Sequence, residues 1–145
     1  RQLTPEELSR EFSKQAMVKG VVEARLKHTG ANIYLIPGDT KETIPNFTKT
    51  YSGGKYNFVF IDGGHSWETI QNDWENIQPL LGEHAVVLFD DYYRDPPVYL
   101  HAGCQHLLDN GVGRKYSVQL LDPVESWPQS WGGNLDIQMA RVEKR

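Results

Sequence analysis

Residues 56–65 read YNFVFIDGGH, a largely apolar run that ends in an acid, two glycines and a histidine. Apolar runs of this length are typical of buried strands in parallel sheets. The residues after Ser66 place Ile70, Trp74 and Ile77 on one stripe at helical spacing, which predicts a helix. A second apolar run, residues 85–89, is again followed by acids. The segment therefore predicts a strand–helix–strand unit with two parallel strands.

Upstream of this unit, the pattern predicts two helices and a strand. Thr4 begins a capping box that predicts a helix ending near Gly30. The apolar residues 33–36 predict a short buried strand. Residues 41–50 predict a short helix interrupted at Pro45.

Downstream, the pattern predicts a helix over residues 96–109 and then two strands, residues 116–121 and 135–142. No helix joins these last strands, so they must form an antiparallel hairpin. Alternating strands and helices predict an α/β fold, a Rossmann-like, mostly parallel sheet with helices on both faces and a C-terminal hairpin. The chain has no repeat or linker, so residues 1–145 are expected to form one domain.

Composition excludes several classes of protein. The 145 residues carry a formal charge of −4, which argues against a general nucleic-acid binder, because such proteins need a basic face. The apolar runs are too short to span a membrane or form a signal segment. The single cysteine, Cys104, excludes a disulfide framework and fits a small core residue better than a nucleophile. We therefore expect a soluble, cytoplasmic protein without a membrane or nucleic-acid partner.

Acids follow both central strands. Asp62 ends the first and Asp90 and Asp91 end the second, so parallel neighbouring strands would bring all three carboxylates to one rim. Oxygen ligands of this kind suit Mg²⁺, although the same acids could instead cap the following segments or face solvent. His65 is a candidate general base, with hydrogen bonding to a nearby carbonyl or carboxylate as the alternative.

Two other loops are candidates for ligand contacts. Gly38, Asp39 and Thr40 follow a predicted strand, where they could contact a nucleotide-like ligand or simply cap a helix. Trp127 and Trp131 lie between the last two strands and could wall a substrate pocket or close over the core.

The stretch from Tyr56 to Glu68, with the later Phe89-Asp90-Asp91-Tyr92, resembles the class I S-adenosylmethionine-dependent methyltransferases of the methyltransferase domain 24 family. Macrocin-type sugar O-methyltransferases are relatives within it. The resemblance covers about residues 32–91. It implies a transferase that uses S-adenosylmethionine to methylate a hydroxyl of a small molecule, such as a sugar or natural product.

The resemblance also implies roles for individual residues. Asp62, Asp90 and Asp91 match the acids that hold Mg²⁺ in metal-dependent members. His65 matches a position near the acceptor and, with Asp62, is the catalytic candidate. The cofactor-binding candidates are Asp62 and the loop of Gly38, Asp39 and Thr40.

Two family elements have no counterpart in the sequence: the glycine-rich loop after the first strand and the acid that ends the second strand and binds the ribose. Residues 1–30 contain no Gly-x-Gly loop of the kind that grips the methionine half of the cofactor. The expected fold is therefore an N-terminally truncated class I methyltransferase. Two interpretations stay open beside a competent enzyme: a non-catalytic remnant or interaction subunit of the same fold, and, less well supported, a metal-dependent hydrolase. Association of the chain into a homo-oligomer also stays open.

Overall fold

The computed structural model describes residues 19–97, 99–130 and 132–145. The helices are α1 (Lys19–Leu26), α2 (Thr40–Thr50), α3 (Trp67–Ile77) and α4 (Gln105–Asn110). The strands are β1 (Tyr56–Ile61), β2 (Leu81–Arg94), β3 (Tyr116–Pro128) and β4 (Asn134–Lys144). Single 3₁₀ turns follow α1, α3 and α4.

The four strands form one sheet in the order β1-β2-β4-β3. β1 and β2 pair in parallel, with Ile61 opposite Phe89. β4 lies antiparallel to both β2 and β3. The predicted parallel unit and the predicted C-terminal hairpin are confirmed, and the hairpin inserts its second strand next to β2.

Helix α3 begins as its sequence predicts. The Ser66 side chain accepts a hydrogen bond from the Thr69 amide and so caps the first turn. Ile70, Trp74 and Ile77 are buried on one stripe against the sheet. This stripe fixes α3 over β1 and β2, directly behind the strand ends that carry the acids.

The main core lies between one face of the sheet and helices α3 and α4. Val87 and Phe89 of β2 lie opposite Val142 and Ala140 of β4, and all four are almost fully buried. Leu108 of α4 joins the same cluster. The alternate residues of β1 face the other way, and Phe58 and Phe60 remain 60% and 45% exposed. Within the described ranges, no helix is both long and apolar enough to cross a membrane.

Three predictions about local structure are wrong. Residues 33–36 form no strand, and Tyr34 is 87% exposed, because the sheet of the described residues ends at β1 and offers this segment no partner. Helix α2 continues through Pro45 instead of being interrupted there. The helix predicted over residues 96–109 is confined to α4. The helix predicted from Thr4 lies outside the described residues except for its last part, α1, and so does Trp131.

Candidate active site

Parallel pairing of β1 and β2 brings their terminal acids together. Asp62 follows Ile61, and Asp90 follows Phe89, the residue opposite Ile61. The next residues in the two strands therefore share one rim of the sheet. One carboxylate oxygen from each of Asp62, Asp90 and Asp91 lies within 4.8 Å of the others. The convergence predicted from the sequence is thus present in the structure.

A β-bulge explains how two consecutive residues reach the same rim. Phe89 lies opposite Ala140 and Tyr92 lies opposite Gln138, so β2 carries one more residue than β4 between these pairs. In a regular strand, Asp90 and Asp91 would point to opposite faces. The extra residue twists the strand locally, as bulges beside functional sites commonly do.

The donor set of this acidic cluster, Asp62, Asp90 and Asp91, fits a magnesium ion. All three ligands are carboxylate oxygens, the donors that Mg²⁺ prefers. Asp62 is exposed and the other two are partly buried, which leaves room for the water ligands that Mg²⁺ keeps.

Electrostatics within the acidic cluster also favours a cation. Burial, followed by the nearby charge of Asp62, raises the pKa of Asp90. Burial raises the pKa of Asp91 to about 6, although the neighbouring His65 acts in the opposite direction. Both carboxylates are therefore costly to ionise as they stand, and a bound cation would offset that cost.

His65 is held beside the acidic cluster by two contacts. Its Nδ1 lies 3.4 Å from Asp91 Oδ2 and 3.2 Å from the hydroxyl of Tyr93. An Nδ1–H directed at these oxygens places the basic lone pair of the ring on Nε2. Burial raises the pKa of Tyr93, whose hydroxyl also bonds to Asp91, so Tyr93 acts as a neutral hydrogen-bonding group.

The loop before α4 fixes the backbone around His65. The Gly103 amide donates to the His65 carbonyl at 2.8 Å, and the Cys104 amide donates to the Asp91 carbonyl at 2.7 Å. Gly103 has φ of +87°, and a Cβ there would lie 2.7 Å from the ring of Tyr93. Glycine is therefore required at this position. Cys104 is buried in the core, as expected, and burial raises its pKa, which makes it a poor nucleophile.

A cavity of about 440 Å³ opens beside these groups. Asp62, His65, Asp90 and Asp91 line one end of it. The hairpin supplies the other walls, with apolar side chains from Leu121, Pro123, Trp127, Ile137 and Met139. Trp127 therefore lies at the cavity, 53% exposed, and does not close over the core.

An irregularity in β3 shapes the hairpin side of this cavity. Leu121 pairs with Met139 and Glu125 with Ile137, so β3 carries two more residues than β4 over this interval. The inserted segment contains the cis Asp122–Pro123 peptide. Asp122, Glu125 and Gln138 add polar groups to the wall.

The loop of Gly38, Asp39 and Thr40 lies outside the cavity wall. Asp39 caps α2 by accepting from the Lys41 amide at 2.9 Å, and the Thr40 side chain bonds to Asp73 of α3. An added Cβ at Gly63 would lie only 3.3 Å from Asp73. The loop is therefore adjacent to the turn that follows β1.

No individual role was predicted from the sequence for Tyr93, Asp122, Glu125 or Gln138, which the structure places at the site. Tyr93 lies two residues after Asp91, on the same side of an extended strand, and this spacing could have linked them. Gln138 lies between the apolar Ile137 and Met139, and this alternation predicts an exposed polar residue, so its burial could be seen only in the structure. No sequence pattern pointed to Glu125, because its position at the cavity depends on the irregularity in β3.

Comparisons with known proteins agree with this architecture. Residues 3–92, more than half of the chain, match the model of a family described as a methyltransferase domain. An rRNA methylase from Streptococcus thermophilus aligns with a TM-score of 0.55 at 15% identity, over 86% of this chain and 68% of that protein. A precorrin-8w decarboxylase from Methanobacterium thermoautotrophicum aligns with a TM-score of 0.47 at 15% identity, over 87% of this chain and 63% of that protein.

At such identity, the likeness to the methylase shows the fold alone. The chain spans about two thirds of the length of these two structures. No curated protein matches the sequence significantly. The family match covers the two central strands and the acids that follow them, and the resemblance of residues 56–92 points to the same family. The chain belongs to the methyltransferase domain 24 family of class I methyltransferases, and its fold is like that of the rRNA methylase.

Proposed function

We propose that the chain is an S-adenosylmethionine-dependent O-methyltransferase that acts on a hydroxyl of a small molecule, with Mg²⁺ held by Asp62, Asp90 and Asp91. One observation carries the proposal. The three carboxylates and His65 line one end of the same cavity, and the ligand atoms of the acids lie within 4.8 Å of one another. A structural capping role does not require three acids at so short a distance.

Each residue of the site has a distinct part in this reaction. S-adenosylmethionine supplies the methyl group, and Mg²⁺ would lower the pKa of the hydroxyl that receives it. His65 accepts the hydroxyl proton. Asp91 and Tyr93 hold the His65 ring through its Nδ1. The apolar hairpin wall excludes water and positions the rest of the acceptor.

The cofactor would lie along the turn after β1, beside the loop of Gly38, Asp39 and Thr40. Support comes from the contacts between these two segments through Thr40 and Asp73. Asp62 borders the cavity from the same turn, so a cofactor there would face the acceptor.

The cavity favours a small molecule over a nucleic acid as the acceptor. Its charged lining among the described residues is acidic apart from His65, so phosphate groups would be repelled. One domain over residues 1–145 and a cytoplasmic location stay predictions from the sequence.

The test is a calorimetric titration of S-adenosylhomocysteine into the chain, with Mg²⁺ and with a chelator. We expect saturable binding, weakened by Asp62→Ala and unchanged by Glu83→Gln, which alters an exposed acid of β2 away from the cavity. A folded chain that binds no S-adenosylhomocysteine under either condition would contradict the proposal and favour the non-catalytic interpretation.

A further inference from the structure

The cavity contains more negative charge than a metal ion can neutralise. Five carboxylates line it, those of Asp62, Asp90, Asp91, Asp122 and Glu125, and no Lys or Arg of the described chain does. A divalent cation at the acidic cluster removes two of these charges. Asp122 and Glu125 lie on the hairpin and make no ion pair with any lysine or arginine that the structure describes.

Gln138 supplies a second, independent indication of a ligand. Only 6% of the residue is exposed, and it lines the same cavity. Its Nε2 donates to the Leu121 carbonyl at 3.3 Å. A carbonyl can only accept, so the amide nitrogen must face Leu121, and Oε1 is the atom left over. That buried Oε1 has no hydrogen-bond partner among the residues that the structure describes. A buried acceptor without a partner is costly, and a donor from a bound ligand would satisfy it.

The polar groups of the hairpin all favour a ligand that donates hydrogen bonds and carries positive charge. Asp122, Glu125 and Gln138 Oε1 offer only acceptors, and an ammonium group has three donors and a positive charge. Trp127 adds an aromatic wall whose Nε1 donates to Glu125 at 3.2 Å. A neutral polyol could satisfy Gln138 but would leave the two carboxylates uncompensated.

We propose that the acceptor carries a protonated amine as well as its hydroxyl, and that Asp122, Glu125 and Gln138 bind the amine while the hydroxyl faces the acidic cluster. This inference rests on the proposed function, because it names the acceptor class for the same cavity. It assigns the hairpin a role in substrate selection.

The test compares D-glucosamine with D-glucose, two probes of nearly the same shape in which an ammonium replaces a hydroxyl. Binding is followed by NMR titration of the Mg²⁺-loaded chain without cofactor. We expect glucosamine to bind about tenfold more tightly than glucose, since a charge-assisted hydrogen bond is stronger than a neutral one. The preference should fall as salt is added. Equal affinity for the two sugars, or no saturable binding of glucosamine, would overturn the inference.

Three variants test which residues cause the preference for glucosamine over glucose. Glu125→Gln should remove most of the preference, whereas Asp136→Asn, which alters an acid of the same hairpin outside the cavity wall, should leave it unchanged. Gln138→Met keeps the side-chain length but removes the acceptor, and should weaken both sugars. If Gln138→Met fails to fold, the result for Glu125→Gln still tests the assignment of the amine to the hairpin. A preference that survives Glu125→Gln would contradict the assignment.

The proposed function and the amine-bearing acceptor can each be contradicted without the other. Loss of S-adenosylhomocysteine binding with an intact preference for glucosamine would contradict the proposed function alone. Binding of S-adenosylhomocysteine with equal affinity for the two sugars would overturn the amine-bearing acceptor alone.

Discussion

Replacing Asp90 by asparagine separates two opposite effects of the acidic cluster on the stability of the fold. These are the repulsion between its carboxylates and the stabilisation by a bound cation. The substitution keeps the shape of the side chain and removes its charge. Asp90 and Asp91 have ligand oxygens no more than 4.8 Å apart, so two ionised carboxylates would repel each other by about 3 kcal/mol at an effective dielectric constant near 20. Solvent screening reduces that repulsion, because both carboxylates are only partly buried.

We therefore expect Asp90→Asn to be more stable than the unmodified chain in a chelator at pH 7, by about 1–2 kcal/mol, or about 3–8 °C in Tm. Mg²⁺ should reverse the order. At a hundred times its Kd, the ion stabilises the unmodified chain by about 2.7 kcal/mol, which exceeds the advantage of Asp90→Asn, and it should leave Asp90→Asn nearly unchanged because one ligand is lost.

The assay is thermal unfolding followed by circular dichroism, with and without Mg²⁺. Glu83→Gln is the matched control, since it removes an exposed acid of the same strand without touching the acidic cluster. The reasoning is refuted if Mg²⁺ raises the Tm of Asp90→Asn as much as that of the unmodified chain. A lower Tm for Asp90→Asn in chelator would show that the three carboxylates do not repel one another as argued.

Three further predictions concern neighbouring groups. Ser66→Ala removes the cap that accepts from the Thr69 amide and should lower the free energy of unfolding by about 1 kcal/mol in a urea titration; an unchanged midpoint would contradict the capping role. Burial raises the pKa of Asp73, so the protonated form favours the fold below the ordinary value of 3.8 and this stability is lost as the pH rises through the folded pKa. Asp73→Asn should accordingly melt at a higher temperature than the unmodified chain at pH 7, with the difference shrinking towards pH 3; a pH-independent difference would argue against it. Tyr93→Phe removes the hydroxyl 3.2 Å from His65 Nδ1 and should shift the imidazole NMR signals of His65 while the circular dichroism spectrum stays the same; unchanged imidazole signals would show that Tyr93 does not position the ring.

The parts of the fold that rest on local pattern could be predicted from the sequence. The apolar run of β1 and the stripe of Ile70, Trp74 and Ile77 each specify burial on a defined face, and the structure confirms both elements. The convergence of Asp62 and Asp90 followed from parallel pairing alone.

The errors that concern strands have a common physical cause, which is that strands depend on partners elsewhere in the chain. Residues 33–36 have strand-like composition, but no strand among the described residues pairs with them. The bulge at Asp90 and Asp91 and the irregularity before Glu125 are shifts of register between strands. Single-strand periodicity carries no information about such shifts, so the position of Glu125 and the partnerless oxygen of Gln138 could be seen only in the folded chain.

The most direct test of the account is a crystal structure of the chain grown with Mn²⁺, which prefers the same oxygen ligands as Mg²⁺ and has a measurable anomalous signal. The account predicts one anomalous peak between Asp62, Asp90 and Asp91, about 2.1 Å from an oxygen of each. A peak elsewhere, or no peak at the acidic cluster in crystals that contain Mn²⁺, would contradict it.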